Sequence, residues 1–166
     1  MDQPKQGFDM AKLEMGDKLV MGGAALYFIW IFIPAWYKFS FSADYIGIHY
    51  SSSINGFRGF LIIAWLLSIV AIAEVVVTKM ADAGDKLPAP RGMTHLVVAG
   101  VALFFTLLGL LVKPSFFGVS WGIFVGLVFS LVWTWGAFQI YQASQGAAPA
   151  AGGGTDSPPP PPQSSL

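Results

Sequence analysis

Four long stretches without charged side chains constrain this chain more than any other feature. They cover residues 19–37, 59–78, 92–112 and about 119–141, and Glu74 is the only acid or base other than histidine within them. About twenty helical residues cross a hydrocarbon core of about 30 Å. Backbone groups surrounded by lipid must pair inside a helix or a closed barrel, and the stretches lack the alternation of barrel strands. We therefore predict an all-α, polytopic membrane protein with four transmembrane helices in an antiparallel bundle.

The overall composition excludes several other classes of protein. The chain is 55% hydrophobic and 11% charged, whereas soluble domains carry about 25% charged residues. The formal net charge is zero, so no basic surface is available for nucleic acid. The chain has no cysteine, which excludes disulfides, thiolate metal ligands and a cysteine nucleophile.

The four-helix domain, residues 19–142, is flanked by two segments that we expect to lie in the cytoplasm. Residues 1–18 are polar with scattered apolar positions and fit either a short interfacial helix or disorder. Residues 143–166 form an Ala/Gly/Pro-rich tail that cannot bury a core, so we predict disorder. The "PPPPP" run in this tail favours polyproline II, either as a solvated end or as a ligand for an adaptor domain. The first helix lacks the features of a cleaved signal peptide, so we expect it to remain as an anchor.

The distribution of lysine and arginine predicts the orientation in the membrane. The N-terminal flank and the connection between helices two and three carry six basic residues, against three in the other two connections. Cytoplasmic loops are enriched in basic residues. We therefore predict a multi-pass protein of the cell membrane, inner or plasma, with both termini in the cytoplasm.

The two connections on the outer side differ in length. The first, "KFSFSADYIGIHYSSSINGFR", contains "DYIGIHY", which favours a short strand or a segment lying on the membrane surface, and "SSSING", which is typical of a turn. The second, "KPSFFG", is so short that helices three and four must be antiparallel neighbours. We also expect Pro34 to kink the outer end of helix one.

Small side chains recur at every fourth position of the last apolar stretch. The row consists of Gly118, Gly122, Gly126, Ser130 and Thr134. Positions i and i+4 share one face of a helix, and small residues let helices approach closely in lipid. The row therefore predicts a helix-packing face, which meets another helix of this chain, a second copy or another subunit.

Glu74 and His95 are the ionisable residues inside the predicted spans. Each lies about one turn from the same side of the membrane, so the pair should sit at similar depth and can form a hydrogen bond. An intramembrane polar pair of this kind has either a structural role, with side chains that extend to the membrane interface, or a role in binding or transferring protons or ions. The second histidine, His49, falls on the opposite side of the membrane. No metalloprotease, phosphate-loop or nucleophile-elbow motif is present, so we expect no catalytic residue, metal site or cofactor.

The chain resembles the small four-helix membrane proteins of bacteria, notably actinobacteria. The resemblance rests on "GDKLVMGGAALYFIWIFIPAWYKFS", where "GDK" and "GG" lead into a helix that ends in "P-x-W-Y", and it covers about residues 16–142. Those proteins are mostly without assigned activity, so the resemblance implies the topology and no reaction. The animal junction proteins share the topology, but their outer-loop cysteine pair is absent here.

These observations favour a non-enzymatic function. We expect a structural or accessory membrane subunit whose partners are the lipid bilayer and either further copies of itself or other membrane subunits, without nucleic acid. The alternative is a small transporter or channel that acts as an oligomer, with Glu74 and His95 as its polar elements.

Overall fold

A computed structural model describes residues 13–80 and 91–146. The described chain is mostly helical and contains four α-helices: α1 (Met15–Trp30), α2 (Leu61–Met80), α3 (Arg91–Leu111) and α4 (Trp121–Gly146). Residues 1–12 and 147–166 lie outside the described residues, and with them most of the predicted N-terminal segment and tail. Residues 143–146, which we predicted to belong to a disordered tail, continue α4.

Three of the helices, α2, α3 and α4, are long and apolar enough to cross a membrane. The fourth, α1, has 16 residues and therefore a length of about 24 Å. The predicted bounds of helices two and three differ from the observed ones by no more than two residues. The structure thus confirms a mostly helical chain with three candidate membrane spans.

The first helix is where the sequence prediction was wrong. We predicted a helix over 19–37, kinked at Pro34. Instead, α1 begins at Met15, within the predicted N-terminal segment, and ends at Trp30, and residues 31–36 form turns. Proline lacks a backbone N–H and disfavours the helical conformation of the residue before it. The helix therefore stops before Pro34 instead of bending at it.

A small sheet lies at the end of the bundle where α1 stops. It consists of β1 (Tyr37–Ala43), β2 (Ile48–Ile54) and β3 (Gly118–Val119), in the order β2-β1-β3. The β1–β2 hairpin turns through a 3-10 segment at Asp44–Ile46 and through Gly47, whose φ of 66° suits glycine. The strand predicted in "DYIGIHY" is present in part, because β2 begins at Ile48. The turn predicted in "SSSING" is wrong, because Ser51–Ser53 belong to β2. We call this the sheet end of the bundle.

The helices form a ring in which each packs against the next in the chain and α4 closes against α1. The contacts of α4 with α1 and α3 are the most extensive. Tyr27 crosses the ring from α1, and its hydroxyl lies 2.9 Å from the Thr106 hydroxyl of α3. Its ring packs edge-on against that of Trp36, which is fully buried together with Ile123 and Trp133.

The row of small residues faces the first helix and its connection. The Gly122 amide donates to the Ala35 carbonyl oxygen at 2.8 Å, and Gly126 lies directly against the Trp36 ring. Ser130 is fully buried. Thr134 donates to the Ala99 carbonyl oxygen of α3 at 3.4 Å.

Gly118 does not belong to this helical row, since it lies in β3, opposite Lys38, and α4 begins three residues later. The other four residues pack within this chain. The row therefore leaves no small-residue face free for a second molecule.

The outward sides of the helices are apolar along their middle portions. Large hydrophobic side chains are exposed there, among them Leu26, Ile29, Leu66, Val70, Val97, Phe104, Leu107, Phe124, Val128, Leu131 and Trp135. Soluble monomers rarely expose a contiguous apolar surface of this extent. Such a surface matches lipid as the surrounding medium.

Two adjacent glycines of α1 provide a test of this packing. A Cβ atom added to Gly23 would lie 2.8 Å from the Trp133 backbone nitrogen, whereas one added to Gly22 meets nothing within 4 Å. We expect Gly23→Ala to lower the free energy of unfolding by about 1–3 kcal/mol, since backbone must move. Gly22→Ala should leave it unchanged or raise it by up to about 1 kcal/mol, because alanine favours the helix. Unfolding in detergent micelles measures both, and equal effects would contradict the α1–α4 interface.

Candidate functional site

Five ionisable side chains meet at the end of the bundle opposite the sheet. Asp17 comes from the start of α1, Glu74 and Lys79 from the end of α2, and Arg91 and His95 from the start of α3. We call these five residues the charge cluster. They converge because α1 and α3 begin where α2 ends, so residues far apart in sequence lie at one depth.

Asp17 is the most buried acid of the charge cluster, with a side chain that is only 1% exposed. One carboxylate oxygen lies 2.7 Å from the Arg91 guanidinium, and the other lies 3.1 Å from the Lys79 ammonium. The second oxygen also accepts the Glu14 backbone N–H at 3.2 Å, which caps the start of α1. The single carboxylate thus ties three helices together.

Arg91 joins the two acids of the charge cluster. Besides Asp17, it binds Glu74, with its Nε donating to Oε1 at 3.3 Å. The other Glu74 oxygen is in direct contact with Nε2 of His95, whose side chain is 2% exposed. The structure therefore brings together the two residues that the sequence singled out as an intramembrane polar pair, and it adds Arg91 beside them.

The charges of the cluster cancel. Asp17 and Glu74 contribute −2, and Lys79 and Arg91 contribute +2, which leaves zero with neutral His95 and +1 with the imidazolium. Ionised groups persist in a low-dielectric interior when they are paired and hydrogen-bonded. The arrangement is therefore suited to holding helix ends in register. Among residues 13–80 and 91–146, no group of three or more His, Cys, Asp or Glu side chains could hold a metal ion.

Sequence reasoning missed Asp17 as a member of the site. The residue stands in "GDK", just before the first apolar stretch, and was counted as part of a polar N-terminal segment. The position of Asp17 relative to the membrane could have indicated its role. Asp17 precedes the first predicted span, and Lys79 and Arg91 flank the second and third spans at the same end of the bundle. Helix ends that share a depth can share an ion pair even when they are 74 residues apart.

The β1–β2 hairpin is the second unusual feature. Its register places Phe41 opposite Tyr50 and Ala43 opposite Ile48 on one face, and Ser40 opposite Ser51 on the other. The first face is apolar and the second is polar. Phe41, Ile48 and Tyr50 are nevertheless about half exposed, at 51%, 49% and 58%. The hairpin is thus amphipathic, and the described residues of this chain leave Phe41, Ile48 and Tyr50 of its apolar face partly uncovered.

The outer edge of the hairpin is also unprotected. Because β2 is the edge strand of the sheet, the backbone groups along one side of "IHYSSSI" have no partner strand among residues 13–80 and 91–146. Edge strands of monomers usually carry lysine, proline or a bulge that prevents further pairing. Residues 48–54 contain no lysine or proline and pair with β1 in unbroken register.

Comparisons with protein-family models, with curated proteins and with solved structures find no match to this chain. The resemblance to small four-helix bacterial membrane proteins therefore stays a prediction. The function has to be argued from the charge cluster, the hairpin and the surfaces of the bundle.

Removing one charge from the cluster should test whether it is a structural clamp. We expect Asp17→Asn to lower the free energy of unfolding by about 3 kcal/mol, because Lys79 and Arg91 lose their shared counter-charge in a buried position. Glu14→Gln is the matched control, since Glu14 is 70% exposed and 3.9 Å from Lys79, and its loss should cost about 0.5 kcal/mol or less. Unfolding in micelles measures both, and an Asp17→Asn variant as stable as Glu14→Gln would contradict the clamp.

Proposed function

We propose that this chain is a non-enzymatic structural subunit of a cell membrane that assembles with further copies of itself through the edge of its β1–β2 hairpin. The observation that carries the proposal is the edge strand β2, which contains no aspartate, glutamate, lysine or arginine and is partly exposed. In this proposal the bundle anchors the hairpin in the membrane, and the charge cluster fixes the helices that support it.

The sequence of β2 suits antiparallel pairing with its own copy. When "IHYSSSI" is paired about Ser51, Ile48 lies opposite Ile54, and Tyr50 lies opposite Ser52, all on the apolar face. His49 then lies opposite Ser53 on the polar face. No aspartate, glutamate, lysine or arginine is present to oppose the pairing by like-charge repulsion. A two-stranded ribbon is only marginally stable alone, so pairing two hairpins into one sheet would stabilise both.

The proposed membrane topology has four spans, with α1 and its connection as the first. Asp17 at the start of α1 contacts Lys79 near the end of α2. At the other end, the Ile31 carbonyl oxygen accepts the Gly56 amide, just before α2 begins. Because α1 and residues 31–36 reach from one end of α2 to the other, they support a fourth crossing.

The orientation follows from the basic residues of the sequence. Lys5, Lys12, Lys18, Lys79, Lys86 and Arg91 lie on the side of the termini, and Lys38, Arg58 and Lys113 lie on the other. The excess favours cytoplasmic termini and an outward-facing hairpin.

A cysteine at the centre of β2 tests the assembly, and the chain has no other cysteine to interfere. In the antiparallel pairing, the two Ser51 residues face one another with their Cα atoms about 4.5–5.5 Å apart, within reach of a disulfide. We expect Ser51→Cys to form a covalent dimer in membranes under mild oxidation, as measured by non-reducing electrophoresis.

Ser40→Cys is the matched control. Ser40 lies directly opposite Ser51 within the hairpin, is exposed and shares its polar face. In the proposed dimer the two Ser40 residues are about 14 Å apart, three strand spacings of about 4.8 Å, so no disulfide should form. Equal cross-linking of both variants, or none of either, would refute the edge-to-edge dimer.

Labelling of Ser51→Cys by a membrane-impermeant thiol reagent on intact cells supports the outward orientation, and protection there opposes it.

The charge cluster keeps a transport function as the second candidate. His95 and Glu74 are nearly buried and in contact, and ionisable groups inside membranes often serve ion or proton pathways. This alternative predicts a proton or ion flux through vesicles containing the purified chain, and Glu74→Gln should reduce it at least about tenfold. The structural proposal expects neither the natural chain nor Glu74→Gln to give a flux above that of empty vesicles. A pH-sensitive dye measures the proton flux, and ion-selective electrodes measure the ion flux.

A further inference from the structure

A small cavity opens at the sheet end of the bundle, between the start of α2 and the end of α3. Its volume is about 190 Å³, and it is lined by residues that include Tyr37, Arg58, Phe60, Val112, Lys113 and Pro114. Arg58 and Lys113 stand three and two residues outside these helices, whose bounds are Leu61–Met80 and Arg91–Leu111. The two cations thus approach one cavity from two different connections.

Neither cation is neutralised by the described part of the chain. Arg58 and Lys113 form no ion pair there, in contrast to Lys79 and Arg91 at the opposite end. Asp44 is the one acid at the sheet end among residues 13–80 and 91–146, and it lies at the hairpin turn, 3.8 Å from His49. The cavity is therefore a place of uncompensated positive charge.

The remaining polar group of the cavity adds no negative charge. The Tyr37 hydroxyl donates to the Gly109 carbonyl oxygen at 2.7 Å. Burial raises the pKa of Tyr37 above its ordinary value, so the side chain stays neutral at physiological pH. With Phe60, Val112 and Pro114 as apolar walls, the site combines two cations with a surface of low polarity, which strengthens their attraction for an anion.

The dimensions and the position limit the kind of ligand. Cavities that hold drug-sized molecules measure about 300–1,000 Å³, so about 190 Å³ has room for a small anionic group and not for a large organic ligand. The residues that flank the ends of spanning helices lie at the depth of lipid head groups. Arginine and lysine together bind phosphate oxygens well, through a planar fork and a point charge.

We infer that Arg58 and Lys113 form a binding site for a phosphate group at the sheet end of the bundle. The phosphate can come from the head group of an anionic lipid or from free phosphate, since both present the same oxygens. The site is separate from the hairpin edge and does not require the proposed assembly.

The test uses the full chain in a neutral detergent at physiological salt. Short-chain phosphatidylglycerol, short-chain phosphatidylcholine and inorganic phosphate are titrated separately, and the rise of the unfolding midpoint with concentration gives an apparent affinity. We expect phosphatidylglycerol or inorganic phosphate to bind. The combined Arg58→Gln and Lys113→Gln variant should bind at least about tenfold more weakly, because each cation contributes about fivefold. Arg58→Lys, which keeps the charge, should stay within about threefold of the natural chain.

Lys38→Gln is the matched control, since Lys38 is an exposed cation of the same end that does not line the cavity. Its affinity should fall less than about twofold, because Lys38 does not line the cavity. Binding of phosphatidylglycerol alone identifies a lipid site, and equal binding of inorganic phosphate identifies a free-phosphate site. An equal loss in Lys38→Gln, binding of phosphatidylcholine as tight as that of phosphatidylglycerol, or no binding of any probe would overturn the inference. Without ligand, Lys38→Gln and the double variant must unfold at the same midpoint as the natural chain. If the double variant does not, the affinities of Arg58→Lys and Lys38→Gln are compared with that of the natural chain.

Discussion

The close approach of α1 and α4 is the contact on which the rest of the bundle depends. Lipid is as apolar as the side chains, so helices in a membrane associate through close packing and hydrogen bonds, not through hydrophobic burial. Gly23 of α1 meets the Trp133 backbone of α4, and Gly136 of α4 meets the Val20 backbone of α1. Because α4 also packs against α3, this contact closes the ring and positions both ends of the bundle.

The two ends of the bundle differ in whether their charged side chains are paired. At one end, Asp17 and Glu74 balance Lys79 and Arg91, so the helix ends are fixed by pairs that neutralise one another. At the sheet end, Arg58 and Lys113 line a cavity without an acid beside them in the described chain. A balanced cluster stabilises the fold from within, whereas an unbalanced pair of cations attracts a ligand from outside. This asymmetry separates the residues that hold the fold from those that are available for binding.

The sequence predicted the helical elements well and their interactions less well. Apolar stretches located α2 and α3 to within two residues, because a membrane span must be both long and apolar. They placed the start of α4 to within two residues, but α4 ends five residues later than predicted. The end of α1 was predicted too late because the apolar pattern continues to residue 37. Pro34 lacks an N–H and disfavours the helical conformation of Ile33, and this effect on the backbone outweighs the apolar pattern. The hairpin was only partly predicted, because the alternation of apolar and polar residues in "KFSFSA" covers only Phe39 and Phe41. Asp17 was missed because its partners, Lys79 and Arg91, are distant in sequence and meet only when α1 packs against the other helices.

The geometry of the charge cluster favours a structural role over transport. A proton carrier has to change its charge during each cycle, and here every change disturbs a neighbour. Protonation of Glu74 would leave Arg91 with one acid, Asp17, which Lys79 already shares. An uncompensated charge in a buried position costs several kcal/mol, a large fraction of the stability of a small domain. A cluster whose members depend on one another in this way holds the three helix ends at one depth. In the proposed assembly, this bundle supports the β1–β2 hairpin and presents its edge to a second copy.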